Sequence, residues 1–590
     1  MKGKSSDYKL LSGLFFRLLP YQILLIAINA VNGIVDSLYA SNVIGKAAMS
    51  AIGLYNPLNH FLYALSIMMV SGSQMLYGKY LAKDREKING LFSVNILLAT
   101  ILSVVTSLVL VIGVVTGLTG MMTDEPEDLK MLNDYIIGQV IGIPALVLGQ
   151  QLFAFLSLEN QTRRTMVASI VCFVVNAVLN HVFLIFIPMG TFGLGLSSSI
   201  ASWVFLAILA VWYLQGKSEW KFSFRNCRWK DGPQIARLGY PGALSRFVEM
   251  FRCLIVNALL MEYVGSVGIS SFSASNALLG VVWSVPFGMV AVSRMFFTIS
   301  IGEEDRKSLA DAMKIAMTKG LLVLLGIVAL LILLAEPLTN FYYHDPSDPV
   351  YPMTVMGFRI LPLCMPLSLW SLHYASYAQT MEKKAISIII PIIDGMVGVV
   401  LFSFLLIPTL QNTGLYIANV LNGVLCFLVI LISAWLTLKR FPRTMEDYLA
   451  FPKGFGAEED ERIDITVRNI DEVMNISQQV IAFCEKREID RRRAFMAGLC
   501  MEEMAGNVVT YGFKEDGKDH SVDIRVVHSR DDEIILRIRD NCKAFNPSEH
   551  AKMMDPGEEG KNVGIRLVYN VAKSVSYQNL LGMNVLTIKI

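Results

Sequence analysis

Apolar stretches of roughly twenty residues recur along the first 440 positions, the length an α-helix needs to cross a ~30 Å hydrocarbon core. About twelve such stretches can be counted. A chain that repeats this pattern must satisfy its backbone polar groups inside lipid, which restricts it to a bundle of spanning helices. A hydrophobic content of 54% and a mean hydropathy of +0.51 exceed what soluble globules carry. The first run, from about Leu14 to Ala40, is too long for a signal-peptide core and lacks a small-residue cleavage site, so it predicts a retained helix. A formal charge of +2 offers no basic surface for nucleic acid, and that partner is set aside. The eight cysteines are scattered without CxxC spacing or a histidine cluster, and read as reduced, small hydrophobes.

The composition changes after Arg440. Of the 100 charged residues, 47 lie in the last 150 positions, which predicts a soluble domain there. The intervening segment, LKRFPRTMEDYLAFPKGFGAEEDE, has the prolines, glycines and mixed charge of a linker. Before it, the loops alternate in charge. Lys83, Arg85 and Lys87; Arg163 and Arg164; KSEWKFSFRNCRWK; Arg306 and Lys307; Lys383 and Lys384; and Lys439 and Arg440 mark cytosolic loops, whereas TDEPEDLKMLNDY and EPLTNFYYHDPSDPVYP lie outside. Both termini are therefore expected in the cytosol.

A shift of 220 residues superimposes Gly45 on Gly265, Ser73 and Met75 on Ser293 and Met295, Arg163-Arg164 on Lys383-Lys384, and Pro188 on Pro408; Asp84-Arg85 meets Asp305-Arg306 at 221. Matches in one register argue for two six-helix halves, the arrangement of alternating-access carriers. The expected organisation is an N-lobe over 1–225, a C-lobe over 226–440, a linker over 441–460 and a cytosolic domain over 461–590. The fold class is thus a polytopic all-α membrane protein of about twelve helices followed by a soluble α/β sandwich.

Ionised groups in hydrocarbon are costly, so each intramembrane carboxylate is a candidate ion or proton site. Asp36 lies two-thirds along the first helix; its bland reading is a residue near the outer mouth. Glu249, with Arg246 and Arg252 three residues to either side, is either a structural ion pair or a coupling group. Asp394 stands beside the helix-bending Pro391 and Gly395. His181 and His373 read as satisfied within the bundle.

The membrane part resembles the multidrug and toxic compound extrusion (MATE) family. VDSLYASNVIGKAAMSAIG resembles its first-helix signature, and ENQTRRTMVASIVCFVVNAVLNHVFLIFIPMGTFGLGLSSSIA resembles its fourth-to-sixth helix region, the likeness covering about residues 10 to 440. The resemblance implies efflux of small organic, often cationic compounds in exchange for protons or sodium. Its N-lobe acid maps onto Asp36 and its C-lobe acid onto Glu249. Where many members carry Asn and Asp four apart in the fifth helix, this chain has Asn176 and Asn180, removing one titratable partner.

The last 130 residues predict a strand (RIDITV), two amphipathic helices (about Ile470 to Arg487 and Asp490 to Gly512), strands SVDIRVVH and EIILRIRD, a polar loop, a helix and closing strands. Glu503 and Asn507 share a helix face and could orient water and hold Mg²⁺. Asp540 ends a strand, where its carboxylate can accept from an exocyclic amine. A loop with Gly557 and Gly560 leads to Gly564, which opens a helix whose N-terminal amides can receive phosphate. Taken singly each is a charged helix face, a turn or a cap; in this order they resemble the Bergerat-fold (GHKL) ATPases, closest to the anti-sigma-factor serine kinases. EEMAGN resembles the N box, implying Glu503 as base and Asn507 as Mg²⁺ ligand. RDNCKAFNP implies Asp540 for adenine, GKNVGIRLV resembles the glycine box, and Thr587 in NVLTIKI matches the terminal strand's nucleotide contact. Cys542 replaces a usual glycine and Lys561-Asn562 stand where a Gly pair is common, departures that bear on ATPase or kinase turnover more than on ATP binding.

A pump driven by an ATP cassette is excluded, because the sole Walker-like Gly78-Lys79 is followed by Tyr80 at a helix end. The leading expectation is a secondary antiporter with a regulatory ATP-binding domain in a bacterial cytoplasmic membrane. The alternatives are a membrane-anchored sensor whose C-terminal domain phosphorylates a cytosolic regulatory protein, and a flippase of lipid-linked precursors using Arg252, Arg294 and Arg359 to bind phosphate.

Overall fold

The structure, a computed structural model, describes residues 6–83, 87–159, 161–218, 220–225, 227–302, 305–452, 454–457, 461–513, 520–529, 532–542, 563–580 and 583–590. Seven helical runs are long and apolar enough to cross a membrane, eight when Pro126–Val140 and Ile143–Leu158, bent 47° at their break, form one span. Three further long helices, α1 (Ser6–Tyr39), α2 (Lys46–Lys83) and α8 (Gly232–Tyr263), carry more polar residues. The 54-residue run Ala385–Leu438 is two helices joined at Gln411, whose φ of 52° reverses the chain. The sequence leads one to expect about twelve spans; among the described residues seven, or eight with the bent pair, meet the length and apolarity of a span.

The remaining membrane helices are α3 (Lys87–Val115), α4 (Pro126–Val140), α5 (Ile143–Leu158), α6 (Thr162–His181), α7 (Gly190–Leu214), α9 (Ser266–Val282), α10 (Ser284–Gly302), α11 (Arg306–Ile315), α12 (Leu321–Leu333), α13 (Ala335–Thr339), α14 (Val350–Ile360), α15 (Cys364–Thr380), α16 (Lys384–Ile392) and α17 (Gly398–Leu438). The repeat is visible in the backbone. Gly45 (φ 122°) and Gly265 (φ 84°) each join the first helix of a half to its second, in a region of φ that favours glycine. Each donates to the carbonyl five residues back (Ala40, 2.8 Å; Leu260, 2.9 Å), and each accepts from the amide three residues on (Ala48 and Gly268, both 3.1 Å).

The chain divides into two compact units. One comprises residues 21–290 and 320–433; the other gathers 1–20, 291–319 and 434–590, joining the ends of several membrane helices to the C-terminal domain. In the second unit a short helix, α18 (Met445–Leu449), opens with a capping box between Thr444 and Asp447, so the expected linker contains ordered structure.

The C-terminal domain is a five-stranded antiparallel sheet in the order β1 (Arg462–Val467), β2 (Val522–His528), β3 (Ile534–Asp540), β5 (Met583–Lys589), β4 (Ser574–Leu580). One face packs under α19 (Ile470–Val473), α20 (Ile476–Lys486), α21 (Arg491–Asn507) and α22 (Val563–Val571), burying Val522, Ile524, Ile534, Leu536, Ile538, Leu586 and Ile588 against Val480, Met501 and Val568. Strict alternation sends Arg525, Arg537 and Arg539 to the opposite face. The sandwich and its strand boundaries agree with the sequence expectation.

Candidate functional site

The carboxylate of Asp36 lies at the centre of a polar network among apolar helices. Its Oδ1 accepts from Asn180 Nδ2 at 2.6 Å and its Oδ2 from Ser198 Oγ at 3.4 Å. Asn180 Nδ2 also reaches Asn176 Oδ1 at 3.2 Å, Asn176 donates to Ser198 at 3.1 Å, and Ser197 donates to Asn180 Oδ1. Helices α1, α6 and α7 each contribute, because Asn176 and Asn180 stand one turn apart on a single face of α6. Satisfying an intramembrane acid with neutral amides and hydroxyls leaves it free to exchange a proton or a cation with no fixed counter-charge in its way. The sequence reading missed Ser197 and Ser198; their signal is the Ser197-Ser198-Ser199 run on a membrane helix.

A second network surrounds Asp394, which sits in the wide turn Ile393–Val397, a π-helical segment of the kind that recurs at functional sites. Its Oδ2 accepts from Ser371 at 2.9 Å and its Oδ1 from Asn422 at 2.9 Å, with Cys426 Sγ at 3.6 Å. Asn422 also holds the Asp394 carbonyl at 3.1 Å. Glu249, in contrast, is ion-paired: Arg246 Nη1 approaches at 2.7 Å and His60 Nδ1 at 3.3 Å. Among the described ion pairs Glu249 meets Arg246 and His60 rather than Arg252. Of the arginines considered for phosphate, Arg359 is engaged with Glu336 at 2.9 Å on an exposed surface, which separates it from any buried anion site.

In the C-terminal domain, Glu503 and Asn507 stand one turn apart on α21, and α22 crosses so closely that a Cβ on Gly564 would collide with the Glu503 carboxylate. Asp540 ends β3 on the helix-covered face. Its Oδ1 accepts from the Cys542 amide at 2.9 Å and from Asn584 Nδ2 at 2.7 Å. Tyr577 Oη donates to Asn584 Oδ1 at 2.7 Å, completing a Tyr577, Asn584, Asp540 chain. Both of these bonds to Asp540 are to Oδ1. Burial pushes the Asp540 carboxyl above its ordinary range against the opposing bonds from Asn584 and Cys542.

Thr587 does not join this site. It pairs across the sheet with Arg537, whereas Asn584 pairs with Asp540. The two-residue period of a strand therefore places Thr587 on the far face, and Asn584 is the terminal-strand neighbour that the sequence reading missed. Gly560, with Gly557 and Lys561-Asn562, lies outside the described residues. The oxygen donors Glu503 and Asn507 suit Mg²⁺ chemically. Among the described residues, no three His, Cys, Asp or Glu side chains gather as a metal site.

The family model of MatE matches residues 23–182 and 241–405, more than half the chain. The chain belongs to the MatE family. A second model, the histidine kinase-like ATPase domain, matches residues 467–590 of this MatE protein. Among curated relatives, the probable multidrug resistance protein NorM of Neisseria meningitidis serogroup A is 22% identical over 363 residues, covering 60% of this chain and 77% of its own. That of Shewanella oneidensis is 28% identical over 249 residues, covering 40% and 53%. Among solved structures, the inward-facing conformation of a multidrug resistance MATE family transporter of the MOP superfamily superposes with a TM-score of 0.63 at 19% identity, covering 69% of this chain and 96% of that one. A MOP superfamily transporter from Pyrococcus furiosus, described as having a binding pocket of reverse polarity, gives 0.57 at 19% identity, covering 74% and 100%. This MatE chain is a multi-pass membrane protein with an ATPase-like domain at its C-terminus.

Proposed function

We propose that this MatE protein is a gradient-driven antiporter that exports small organic compounds, cationic ones included, in exchange for protons or sodium, with its ATP-binding domain regulating transport. The observation that carries the reading is the Asp36 network: one acid in a membrane helix, bonded by Asn180 and Ser198 with Asn176 and Ser197 behind them, with oxygens enough to solvate a small cation or to hold a proton. A titratable group in that setting binds coupling ion and cationic substrate in competition, the requirement for exchange. Asp394 supplies a comparable acid in the second half, and Glu249 and Arg246 of α8 form a polar cluster with His60 of α2. With both termini cytosolic in a bacterial cytoplasmic membrane, Glu503, Asn507, Asp540 and Gly564 would bind ATP with Mg²⁺ from the cytosol.

Efflux of a cationic dye from everted vesicles tests this. Under an imposed proton or sodium gradient, Asp36→Asn and Glu249→Gln should abolish efflux, whereas Asn507→Ala should only alter it. Efflux that survives Asp36→Asn, or that requires ATP and ignores both gradients, rules out the antiporter reading.

A further inference from the structure

The sheet face opposite Asp540 is unusual for a soluble domain. The side chains of Arg525, Arg537 and Arg539 are 5%, 7% and 2% exposed, and each points to one carboxylate, Asp305, itself 1% exposed. Arg525 and Arg537 are in direct contact with its two oxygens, and Arg539 Nη2 lies 4.0 Å away. Asp305 stands just ahead of α11, in the unit that also contains the C-terminal domain. It caps that helix as well, its Oδ1 accepting from the Ser308 amide at 2.9 Å, while Arg539 Nη1 donates to Ser308 Oγ at 3.1 Å. The next two residues extend the attachment. Arg306 reaches Glu446 at 3.8 Å and lies 5.2 Å from the centre of the Phe451 ring, and Lys307 pairs with Asp464 of β1 at 3.0 Å.

Burial alone would raise the Asp305 carboxyl, yet the three guanidiniums outweigh it and hold it well below the ordinary carboxylate range. Arg525 also pairs with Asp464 at 2.6 Å. Removing Asp305 takes from the three buried cations the carboxylate they share, which favours separation into water. A polar cavity of about 330 Å³ lies alongside, lined by Asp311, Lys314, Glu446 and Arg462 among others.

The connection to nucleotide runs through one strand. β3 carries Arg537 and Arg539 on the docked face and ends one residue later at Asp540 on the nucleotide face, so any displacement of Asp540 is felt by Arg539 about 3.3 Å away along the strand. On the other side, α11 leads through the wide turn Ala316–Gly320 into membrane helix α12. We propose that Asp305 is the pin that docks the ATP-binding domain onto the start of α11 and transmits nucleotide occupancy to the transport helices. This rests on the regulatory reading of that domain. The coupling is a differential affinity of nucleotide for the docked and undocked arrangements, and it is reciprocal: docking changes nucleotide affinity as nucleotide changes docking.

The test uses the full chain in everted vesicles, with fluorescent ATP binding, gradient-driven ethidium efflux with and without ATP, and trypsin cleavage of the 441–460 linker. Asp305→Asn should keep nucleotide-free efflux within about twofold of wild type, lose the ATP-dependent change in efflux, shift nucleotide affinity as reciprocity requires, and speed linker cleavage about tenfold, as expected when a buried anion is removed from its cations. Arg539→Gln, which reaches the same node from the sheet, should reproduce the loss if Asp305→Asn fails to fold. If wild-type efflux responds to ATP and both variants respond equally, the pin is refuted while the regulatory reading stands. If wild type binds ATP but its efflux does not respond, the regulatory reading falls and the pin with it.

Discussion

Replacing Asn584 by alanine separates the site the structure builds from the one the sequence suggests. Asn584 donates to Asp540 at 2.7 Å and to the Cys542 carbonyl at 3.2 Å, and accepts from Tyr577 at 2.7 Å. The bond to Asp540 is to a charged acceptor, worth about 1.5–3 kcal/mol, and the Tyr577 bond is an ordinary one near 1 kcal/mol. Only the first fixes the orientation of the carboxylate proposed to meet adenine. Losing it releases Asp540 to rotate, and a loss of about 1.4 kcal/mol at the low end corresponds to roughly tenfold weaker nucleotide binding. Loss of the bond from Tyr577 lowers domain stability by a further ~1 kcal/mol, which shifts the melting midpoint of the domain by several degrees. Thr587→Ala, on the other face, should leave affinity within about twofold, since a site beyond the sheet has no path to the base except through backbone strain. Titration with a fluorescent ATP analogue, with thermal melting in parallel, reads both. Binding that weakens in Thr587→Ala and holds in Asn584→Ala would show that the β3–β5 register is wrong.

Two further expectations follow from named contacts. Gly564→Ala gains up to about 1 kcal/mol of helix propensity but forces Glu503 off its rotamer at a similar cost, so stability should stay near wild type while Mg²⁺-dependent nucleotide binding falls; a collapse of both in melting and binding assays would mean the collision reaches the backbone. Asp305, with its carboxyl held far below the unfolded value of 3.8, contributes stability that is fully present above about pH 4 and lost as pH falls through its folded value. Asp540, raised by burial, acts oppositely: its destabilising contribution is present above its folded value and relieved as pH falls toward 3.8. Asp305→Asn should therefore flatten the acid limb of the melting curve, whereas an unchanged limb would show that other carboxylates carry it.

Much of the membrane architecture was legible because lipid imposes a length on every span and a charge bias on every loop. The Asp36, Asn176 and Asn180 grouping was also within reach, since helical spacing puts the two amides on one face and the family resemblance brings that face to α1. Ser197 and Ser198 were not, because small polar residues on an apolar helix look the same whether they pack or bind. Glu249 shows the limit of one-helix reasoning. Arg246 and Arg252 are equally spaced from it along α8, yet the structure gives it Arg246 and His60, and His60 comes from α2.

The C-terminal sheet carries a similar lesson at finer grain. Ile590, Ile588 and Leu586 share a parity with Asn584 and not with Thr587, so the alternation of the last strand already held the correction. The arginines of DIRVVH and LRIRD alternate with aliphatic residues just as regularly, and alternation alone describes an ordinary solvated face. All three meet an aspartate more than two hundred residues earlier in the chain, at the position where the repeat aligns Asp305 with Asp84, and Arg525 meets Asp464 as well. Sequence periodicity can state that a sheet has a charged face; it cannot state which distant carboxylate meets it. That is the physical reason a single strand, β3, can present nucleotide chemistry on one side and an attachment to a membrane helix on the other, with one peptide unit between Arg539 and Asp540.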